Sequence, residues 1–383
     1  MRRILPLSPC RVIRTEYPRF TIQRRSYPSD PAMQPDDSPF TPSCPVPNDP
    51  SHVILAHGGG GRMTQKLLET LFFRVFDNPI LARRHDGAVL ETGAKRLAFT
   101  TDSYVVDPLF FPGGDIGELA VYGTVNDLAV CGAEPRWISA GFIIEEGLPM
   151  EVLARVAASM RRAADRAGVS IVTGDTKVVP RGRGDGIFIN TAGVGIVPEG
   201  VEIDPAGARP GDVVIINGPI ADHGIAIMAL REGLDFETPV VSDTAPLHTL
   251  AAAVLQTCPT TRVLRDPTRG GVASALNEIA RASSVGIVLD ETSVPVRDAV
   301  RGACEILGFD PLYVANEGKL IVIAPGDAAG KIVERMRELP EGRESCAIGM
   351  VTSEHPGTVV MRTLIGGTRI VDMMSGEQLP RIC

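Results

Sequence analysis

From Val53 onward, short apolar segments alternate with segments whose apolar residues recur at helical spacing. This alternation is typical of chains that pack helices against β-sheets. The stretch 198–211 combines proline and glycine with charged residues, which indicates a connection between domains. We therefore expect an α+β protein of two domains, each of about 150 residues. The clearest predicted elements are strands at 97–100, 169–172, 187–197, 213–216, 286–289 and 319–324, and helices at 119–130, 151–167, 224–231, 249–256, 272–282 and 328–339.

Residues 1–50 differ in composition from the rest of the chain. They hold eleven of the 31 prolines, and residues 1–30 carry seven arginines against only Glu16 and Asp30. The segment lacks the apolar core of a secretory signal, although its Arg-rich composition is also found in organelle transit peptides. Its proline spacing favours disorder, and Met33 offers a second start codon. We predict a disordered or mis-annotated leader over residues 1–50 and exclude it from the fold.

The composition also limits the classes of partner. A formal net charge of −8 is opposite to that of a nucleic-acid-binding surface, and no apolar run approaches the roughly 18 residues of a membrane span. We therefore predict that the protein contacts neither nucleic acid nor membrane. The seven cysteines are widely spaced and form no CxxC pair, which excludes a zinc ribbon or a disulfide scaffold. This cysteine usage suits a reducing compartment, so we predict a cytoplasmic location.

The sequence ends in Arg381-Ile382-Cys383, and the last of these residues is a thiol. A cysteine on a flexible tail can move between sites and carry a small group with it. The alternative is an exposed thiol without a role, because chain ends are usually the least ordered part of a domain.

A glycine-rich segment with the sequence HGGGGR, residues 57–62, precedes a helical pattern over 63–76. Glycines before a helix let backbone N–H groups approach an anion, and the helix dipole favours negative charge there. A flexible turn is the alternative. The segment is not a P-loop, because the Lys-Ser/Thr pair is missing.

Four aspartates lie in apolar or glycine-rich surroundings rather than on charged helical faces. Acids in such places either cap helices and turns or bind hard cations. Together with the glycine-rich segment they suggest a site for Mg²⁺ and a nucleotide, in which the ion bridges carboxylates and phosphates. These acids are Asp102, Asp115, Asp127 and Asp266.

Three further residues carry functional groups at the ends of predicted elements. Lys177 follows a strand, and it is either a surface charge or a group that binds phosphate or transfers protons. His223 stands at a helix start, where a structural histidine is the commoner case. Glu317 lies between Asn316 and Gly318 at a strand start, an unusual place for an acid that is only solvated.

Taken in order, these motifs resemble the HypE family of hydrogenase maturation proteins, over about residues 53 to 383. That family belongs with the ATP-binding superfamily of aminoimidazole ribonucleotide synthetase and selenophosphate synthetase. Eight ordered motifs are more specific than any one of them. They are HGGGGR (57–62), TTDSYVVDPLFFPGGDIG (100–117), GTVNDLAVCGA (123–133), TGDTKVVPRG (173–182), NGPIADHGIAI (217–227), RDPTRGGVASALNEIA (265–280), ANEGKL (315–320) and PRIC (380–383).

The resemblance implies an α+β, two-domain fold like that of aminoimidazole ribonucleotide synthetase. It implies a homodimer in which the sheets of the N-terminal domains pair, with ATP bound at the domain and subunit junction. On this basis residues 51–200 are an N-terminal ATP-binding and dimerisation domain, and residues 201–370 a C-terminal α/β domain. Residues 371–383 are a mobile tail that ends in the carrier cysteine.

The resemblance also implies a reaction. A HypF-type carbamoyltransferase places a carbamoyl group on Cys383, and ATP phosphorylates the carbamoyl oxygen. Loss of phosphate and of N–H protons leaves a thiocyanate, which a HypC–HypD iron scaffold receives as a cyanide ligand for the NiFe-hydrogenase iron.

The resemblance implies roles for individual residues as well. Cys383, Glu317 and Lys177 are the catalytic set, with Glu317 as the base. ATP and Mg²⁺ are the cofactors. The predicted ATP-binding residues are Asp102, Asp115, Asn126, Asp127, Asp175, Gly59 and Gly60, and the predicted metal ligands are Asp102, Asp115, Asp127 and Asp266.

Two alternatives stay open. Selenophosphate synthetases carry a reactive cysteine or selenocysteine in the N-terminal glycine loop, and residues 57–62 contain neither, which weakens that alternative. The other alternative is a non-catalytic, ATP-binding scaffold for hydrogenase maturation.

Overall fold

The computed structural model describes residues 61–67, 69–70, 81–85, 88–91, 95–234, 239–374 and 379–383. The predicted leader, Gly59 and Gly60 lie outside these residues. The described part contains two main sheets, one formed by residues 88–197 and the other by residues 212–371.

The first sheet has five strands in the order β1-β2-β7-β5-β6. Neighbouring strands are antiparallel except β5 and β6, which are parallel. Two helices cover one face of the sheet, and a short hairpin, β3–β4, precedes the first of them. The strands are β1 (Ala88–Glu91), β2 (Arg96–Tyr104), β3 (Phe110–Phe111), β4 (Gly114–Asp115), β5 (Glu134–Glu145), β6 (Ser170–Val179) and β7 (Ile187–Val197). The helices of this part are α1 (Arg62–Leu67), α2 (Ile116–Val130) and α3 (Met150–Ala167), with a 3₁₀ turn at Leu81–Arg83.

The local sequence explains these elements. Residues of β7 alternate between buried and less buried positions, as expected where one face of a strand meets a core. Helix α3 has an apolar stripe and a charged outer face, and it ends at Gly168, whose φ of +68° is the left-handed conformation that glycine adopts readily. Helix α2 is instead apolar on nearly all sides, which is typical of a helix surrounded by protein.

The second sheet has seven strands in the order β14-β13-β10-β12-β8-β11-β9. Only β10 and β13 are parallel neighbours. The strands are β8 (Asp212–Ile216), β9 (Val263–Arg265), β10 (Gly286–Asp290), β11 (Ile321–Pro325), β12 (Cys346–Thr352), β13 (Val359–Arg362) and β14 (Thr368–Val371). The helices are α4 (Asp222–Glu232), α5 (His248–Thr257), α6 (Gly271–Ala282), α7 (Asp298–Leu307) and α8 (Ala329–Arg337), with 3₁₀ turns at Pro311–Tyr313 and Pro340–Gly342.

The two parts pack together through α2. Its residues Ala129 and Val130 belong to a buried cluster built mainly from the second part, whereas Leu119 and Val125 belong to the largest cluster, which draws residues from both parts. The buried Asn126 donates from Nδ2 to the Ala245 carbonyl (3.1 Å) and accepts at Oδ1 from the Leu247 N–H (2.7 Å). These contacts bring the ends of both sheets to one junction.

The clearest predicted helices and strands are confirmed within four residues at each end, except that the strand predicted at 169–172 continues to Val179. Strand β5, helix α7 and the β12–β14 segment were not predicted. Of the predicted helix over 63–76, the structure describes residues 63–67 and 69–70, and α1 covers the first of these ranges. Among the helices that the structure describes, none is both long and apolar enough to span a membrane.

Candidate active site

The last residues of the chain lie in the junction between the two sheets. Leu379 and Ile382 are buried, and the half-buried Cys383 packs against the main apolar core. The N–H of Val105, directly after β2, donates to the main-chain oxygen of Cys383 (2.9 Å), and the His223 ring donates from Nε2 to the Ile382 carbonyl (2.8 Å). The tail therefore contacts the first part through β2 and the second part through α4. Its predicted mobility stays a prediction.

Glu317 has a buried carboxyl group that acts electrostatically on Tyr104, the neighbour of the tail-binding Val105. Glu317 is only 4 % exposed, and its Oε1 has no hydrogen-bond partner within the described residues. Burial, reinforced by the charges of Asp102, Asp243 and Asp266, raises its pKa well above the usual value, and Arg269 offsets only part of this effect. A carboxyl group in this state binds its proton tightly, so its carboxylate, once ionised, is a candidate proton acceptor.

Asp243 fixes the backbone around Glu317. Its two carboxylate oxygens accept from the N–H groups of Glu317 (3.1 Å) and Gly318 (3.3 Å), and Lys319 pairs with it at 3.0 Å. Burial alone would raise the pKa of Asp243, but Lys319, His223 and the backbone donor lower it below the usual value. Glycine is required at 318, because a Cβ there would collide with the Asp243 carbonyl.

Tyr104 links the tail to the acids. It is the last residue of β2, its ring is buried, and its hydroxyl occupies the space that a side chain at Gly123 would fill. Burial, with the charges of Asp102, Asp127 and Glu317, raises the pKa of Tyr104 well above its usual value. Burial likewise raises the pKa of Asp102, against the opposing charge of Arg269. Tyr104 therefore stays protonated in a group of mutually repelling carboxylates.

Three of the four predicted metal ligands belong to this acidic group. Asp102 and Asp266 act on Glu317, and Asp127 acts on Tyr104 and accepts from the Thr100 hydroxyl (2.7 Å). Within the described residues, no three His, Cys, Asp or Glu side chains stand close enough to hold a metal ion by themselves.

The structure gives Asp115 and Asn126 contacts of a structural kind. Asp115 is the N-cap of α2, and its Oδ1 accepts from the N–H groups of Gly117 (2.8 Å) and Glu118 (3.1 Å). These contacts correspond to helix capping, which was one of the two interpretations of the four aspartates. Asn126, predicted to bind ATP, uses both ends of its amide in the junction contacts described above, and Nδ2 also approaches the Glu317 carbonyl (3.4 Å). Their predicted roles toward ATP stay predictions.

Lys177 and Asp175 lie apart from the acidic group, on the exposed outer face of β6. They form an ion pair with each other, with Nζ 2.5 Å from Oδ2. Lys177 is in register with Ile143 of β5, which is in register with Phe188 of β7. The Arg381 guanidinium stands over the Phe188 ring, so Lys177 is about 10 Å, two strand spacings, from the part of the sheet that the tail covers.

His223 is the second residue of α4, at the helix start that the sequence predicted. It is fully buried, and burial lowers its pKa, which favours the neutral ring. Because the Ile382 carbonyl only accepts, Nε2 carries the proton and Nδ1 accepts from the Ser242 hydroxyl (2.8 Å).

Sequence reasoning missed Asp243, Lys319, Tyr104 and Arg231. Lys319 follows Glu317 by two positions, so a strand-like alternation could have placed both side chains on one face. Asp243 stands in a short polar run, Ser242-Asp243-Thr244, that is typical of a turn. Arg231, in the last turn of α4, reads as a surface cation at a helix C-terminus.

The two parts of the chain match two models of one protein family. Residues 84–197 match the N-terminal domain of AIR synthase related protein, and residues 209–362 match its C-terminal domain. These matches confirm the expected superfamily and its two-domain α+β fold.

Proteins with named roles are similar over most of the chain. "Carbamoyl dehydratase HypE" of Azotobacter vinelandii is 54 % identical over 331 residues, which are 86 % of this chain and 97 % of that protein. The crystal structure of a HypE–HypF complex aligns with a TM-score of 0.77 and 48 % identity, over 80 % of this chain and 99 % of that one. The crystal structure of HypE in complex with ATP aligns with a TM-score of 0.74 and 50 % identity, over 87 % and 100 %. The chain therefore belongs to the HypE family of hydrogenase maturation proteins, within the AIR synthase related proteins.

Proposed function

We propose that this protein is an enzyme that uses ATP to dehydrate a carbamoyl group on Cys383, converting a thiocarboxamide into a thiocyanate. The product supplies cyanide ligands for the active-site iron of NiFe hydrogenase. The Azotobacter vinelandii relative named above carries the name carbamoyl dehydratase, and one related structure contains ATP. The single observation on which we rely most is the docking of Cys383 on Val105, the neighbour of Tyr104, because Tyr104 lies within the electrostatic influence of Asp102, Asp127 and Glu317.

The carbonyl oxygen of a carbamoyl group is a poor leaving group until it is phosphorylated. In the first step that oxygen attacks the γ-phosphorus of ATP, and ADP departs. In the second step the nitrogen loses both protons, the carbon–oxygen bond breaks, and phosphate leaves with the former carbamoyl oxygen. A C≡N group then remains on the sulfur. Glu317 is our candidate for the proton acceptor, because its raised pKa makes its carboxylate a stronger base.

The acids also fit Mg²⁺ as the companion of ATP. Mg²⁺ usually takes one or two carboxylates and completes its shell with phosphate oxygens and water, so a preformed cage of three acids is not needed. Carboxylates that repel one another suit a site that receives a cation. Asp102, Asp127 and Asp266 are the residues that would hold the ion, and Asp127 accepts from Thr100 in an orientation that supports this role. The bound ion would neutralise charge on the phosphates.

The direct test follows the mass of the C-terminal peptide. The protein is incubated with ATP, carbamoyl phosphate and a HypF-type carbamoyltransferase, then digested and analysed by mass spectrometry. We expect a carbamoyl adduct on Cys383 that later loses one water, but only when ATP is present. Persistence of the adduct with ATP, or its formation on another cysteine, would contradict the proposed reaction.

Asp127→Asn should weaken binding of Mg-ATP about tenfold to thirtyfold in calorimetry, because a charged contact worth about 1.5–2 kcal/mol is lost. Asparagine keeps the shape and can still accept from Thr100, so the fold should persist. Asp165→Asn is the matched control, because Asp165 lies on the exposed face of α3 and pairs with Arg161. Equal affinities for the two variants would remove Asp127 from the site.

We also propose that the protein acts as a homodimer whose first sheets pair face to face. Phe99 of β2 and Trp137 of β5 are both in register with Val194 of β7, so they form an apolar row across the outer face of the sheet. Trp137 is 46 % exposed, and Ile143, six positions further along β5 and so on the same face, is 49 % exposed. Continuous exposed apolar area of this kind is typical of an interface. Pairing would also cover Lys177, which shares this face.

Trp137→Glu should convert the dimer into a monomer in light scattering at micromolar concentration. A two-fold interface contains the substitution twice, so two losses of about 2 kcal/mol each weaken association about a thousandfold. Ile365→Glu is the control, because Ile365 is 95 % exposed on the β13–β14 hairpin, far from this face. A dimer that survives Trp137→Glu would exclude this face as the interface.

The proposed partners follow from the group that is carried. A HypF-type carbamoyltransferase would load Cys383, and the HypE–HypF complex among the related structures supports this partner. A HypC–HypD iron scaffold would receive the cyanide. Both events belong in the cytoplasm, where thiols stay reduced.

A further inference from the structure

The docked tail is held through both side chains and main chain. Leu379 and Ile382 are buried, and the Arg381 guanidinium pairs with Asp185 and donates to the Val105 carbonyl (2.9 Å). Each of the last four residues offers a main-chain oxygen to the body of the protein, a carbonyl oxygen in residues 380–382 and a terminal carboxylate oxygen in Cys383. Arg231 donates to the carbonyls of Pro380 and Arg381, His223 to that of Ile382, and the Val105 N–H to the terminal oxygen of Cys383. The Asp107 N–H also donates to the Arg381 carbonyl (3.3 Å). A run of four bound main-chain oxygens fixes the register of the tail.

Arg231 is the centre of this arrangement. Besides its two bonds to the tail, its Nε donates to the Asp107 carbonyl, so one guanidinium joins the tail, α4 and the segment after β2. The planar guanidinium presents its donors in a fixed fork, a geometry that an ammonium does not reproduce. His223 is oriented from behind by Ser242, whose oxygen in turn accepts from the Thr244 N–H (3.2 Å).

We propose that Arg231 and His223 are positioning residues that hold the tail in the reacting position by binding its main-chain carbonyls. The inference rests on the proposed function only in taking the docked tail as the state that reacts. Contacts to carbonyls do not depend on what the sulfur carries. The thiol, the thiocarboxamide and the thiocyanate can therefore occupy the same register, and the carried group stays aligned through both chemical steps.

The test measures how well the docked tail protects Cys383. Purified full-length protein, without ATP or carbamoyl donor, is treated with iodoacetamide, and alkylation of each cysteine is followed by peptide mass spectrometry. Arg231→Met should raise the alkylation rate of Cys383 about tenfold, the equivalent of about 1.4 kcal/mol in the docking equilibrium. Arg231→Lys should give a smaller increase. Arg337→Met should leave the rate unchanged, because Arg337 also ends a helix and donates to a carbonyl, that of Ser345 (2.9 Å), away from the tail.

The buried Cys131, Cys258, Cys304 and Cys346 report general unfolding in the same digests. The inference is overturned if Cys383 reacts at the wild-type rate in both Arg231 variants, or if its rate rises only in step with these four. In the dehydration assay Arg231→Lys should lower kcat with little change in KM for ATP, whereas general damage would change both. If the wild-type protein did not dehydrate the carbamoyl group, the proposed function would be contradicted. The alkylation result would still test whether Arg231 holds the tail.

Discussion

Replacement of Cys383 by alanine should abolish carbamoyl uptake and cyanide formation completely, while the affinity for ATP stays within about twofold of the wild type. The sulfur is the only atom that joins the carried group to the protein, so no other residue can compensate. The docking contacts use main-chain atoms, and alanine retains these. Because Cys383 is a half-buried residue at the chain end, loss of its thiol should change the free energy of unfolding by no more than about 0.5 kcal/mol.

Cys304→Ala is the matched control for this experiment. Cys304 is buried in α7, and burial, with the nearby Asp310 charge, raises the pKa of its thiol to about 12, so it is not a nucleophile at neutral pH. This variant should dehydrate the carbamoyl group normally. Hydrogenase maturation that proceeds normally with Cys383→Ala would contradict the carrier role. ATP turnover that does not depend on Cys383 would instead favour a scaffold protein.

Substitution of Glu317 by glutamine should separate activity from stability. Removal of a general base lowers turnover about 10²- to 10⁴-fold, so the carbamoyl adduct should accumulate on Cys383 in the presence of ATP. The same change should stabilise the ligand-free protein by about 1 kcal/mol or more near pH 8, because a neutral amide avoids the cost of a buried, repelled carboxylate.

The pH dependence of this stabilisation has a definite sign. The pKa of Glu317 is raised in the folded protein, so above the usual pKa of a glutamate the folded state binds the proton that the unfolded state has released. Stability due to the protonated group is complete below the unfolded pKa and is lost as the pH rises toward the folded pKa. The advantage of Glu317→Gln should therefore grow from pH 5 to pH 8 in thermal melts. Glu338→Gln, an exposed control that pairs with Arg335, should show no such trend.

Much of the fold follows from local pattern. Strand β7 and helix α3 carry period-two and period-3.6 burial that the sequence already displays. Strand β5 escaped prediction because its run, with Pro135, Arg136 and Gly141, lacks clear alternation, and the two pairing irregularities near Pro135 and Ile138 break the period. Its position is set by pairing with two neighbours rather than by its own sequence.

The candidate site could be predicted only in part. Motif order identified Glu317 and the acids Asp102, Asp127 and Asp266, and the structure brings these together. Asp243 and Arg231 come from segments without a motif, and only tertiary packing gives them their partners. Asn126 shows that a motif residue can also have a structural contact that the sequence does not reveal. It lies beside Asp127 in a motif, but both ends of its amide form hydrogen bonds at the junction between the two parts.

The burial of helix α2 limits how far the two parts of the protein can move against each other. Thirteen of its fifteen residues are buried, and it contributes to the cores of both parts of the protein. Movement of one part against the other would expose this shared core to water. We therefore expect the two parts to move as one rigid body during the reaction. The twelve residues after Val371 can span at most about 40 Å when extended. That reach exceeds the radius of gyration of a domain of this size, about 15 Å, so we expect that the tail alone delivers Cys383 to a partner's surface.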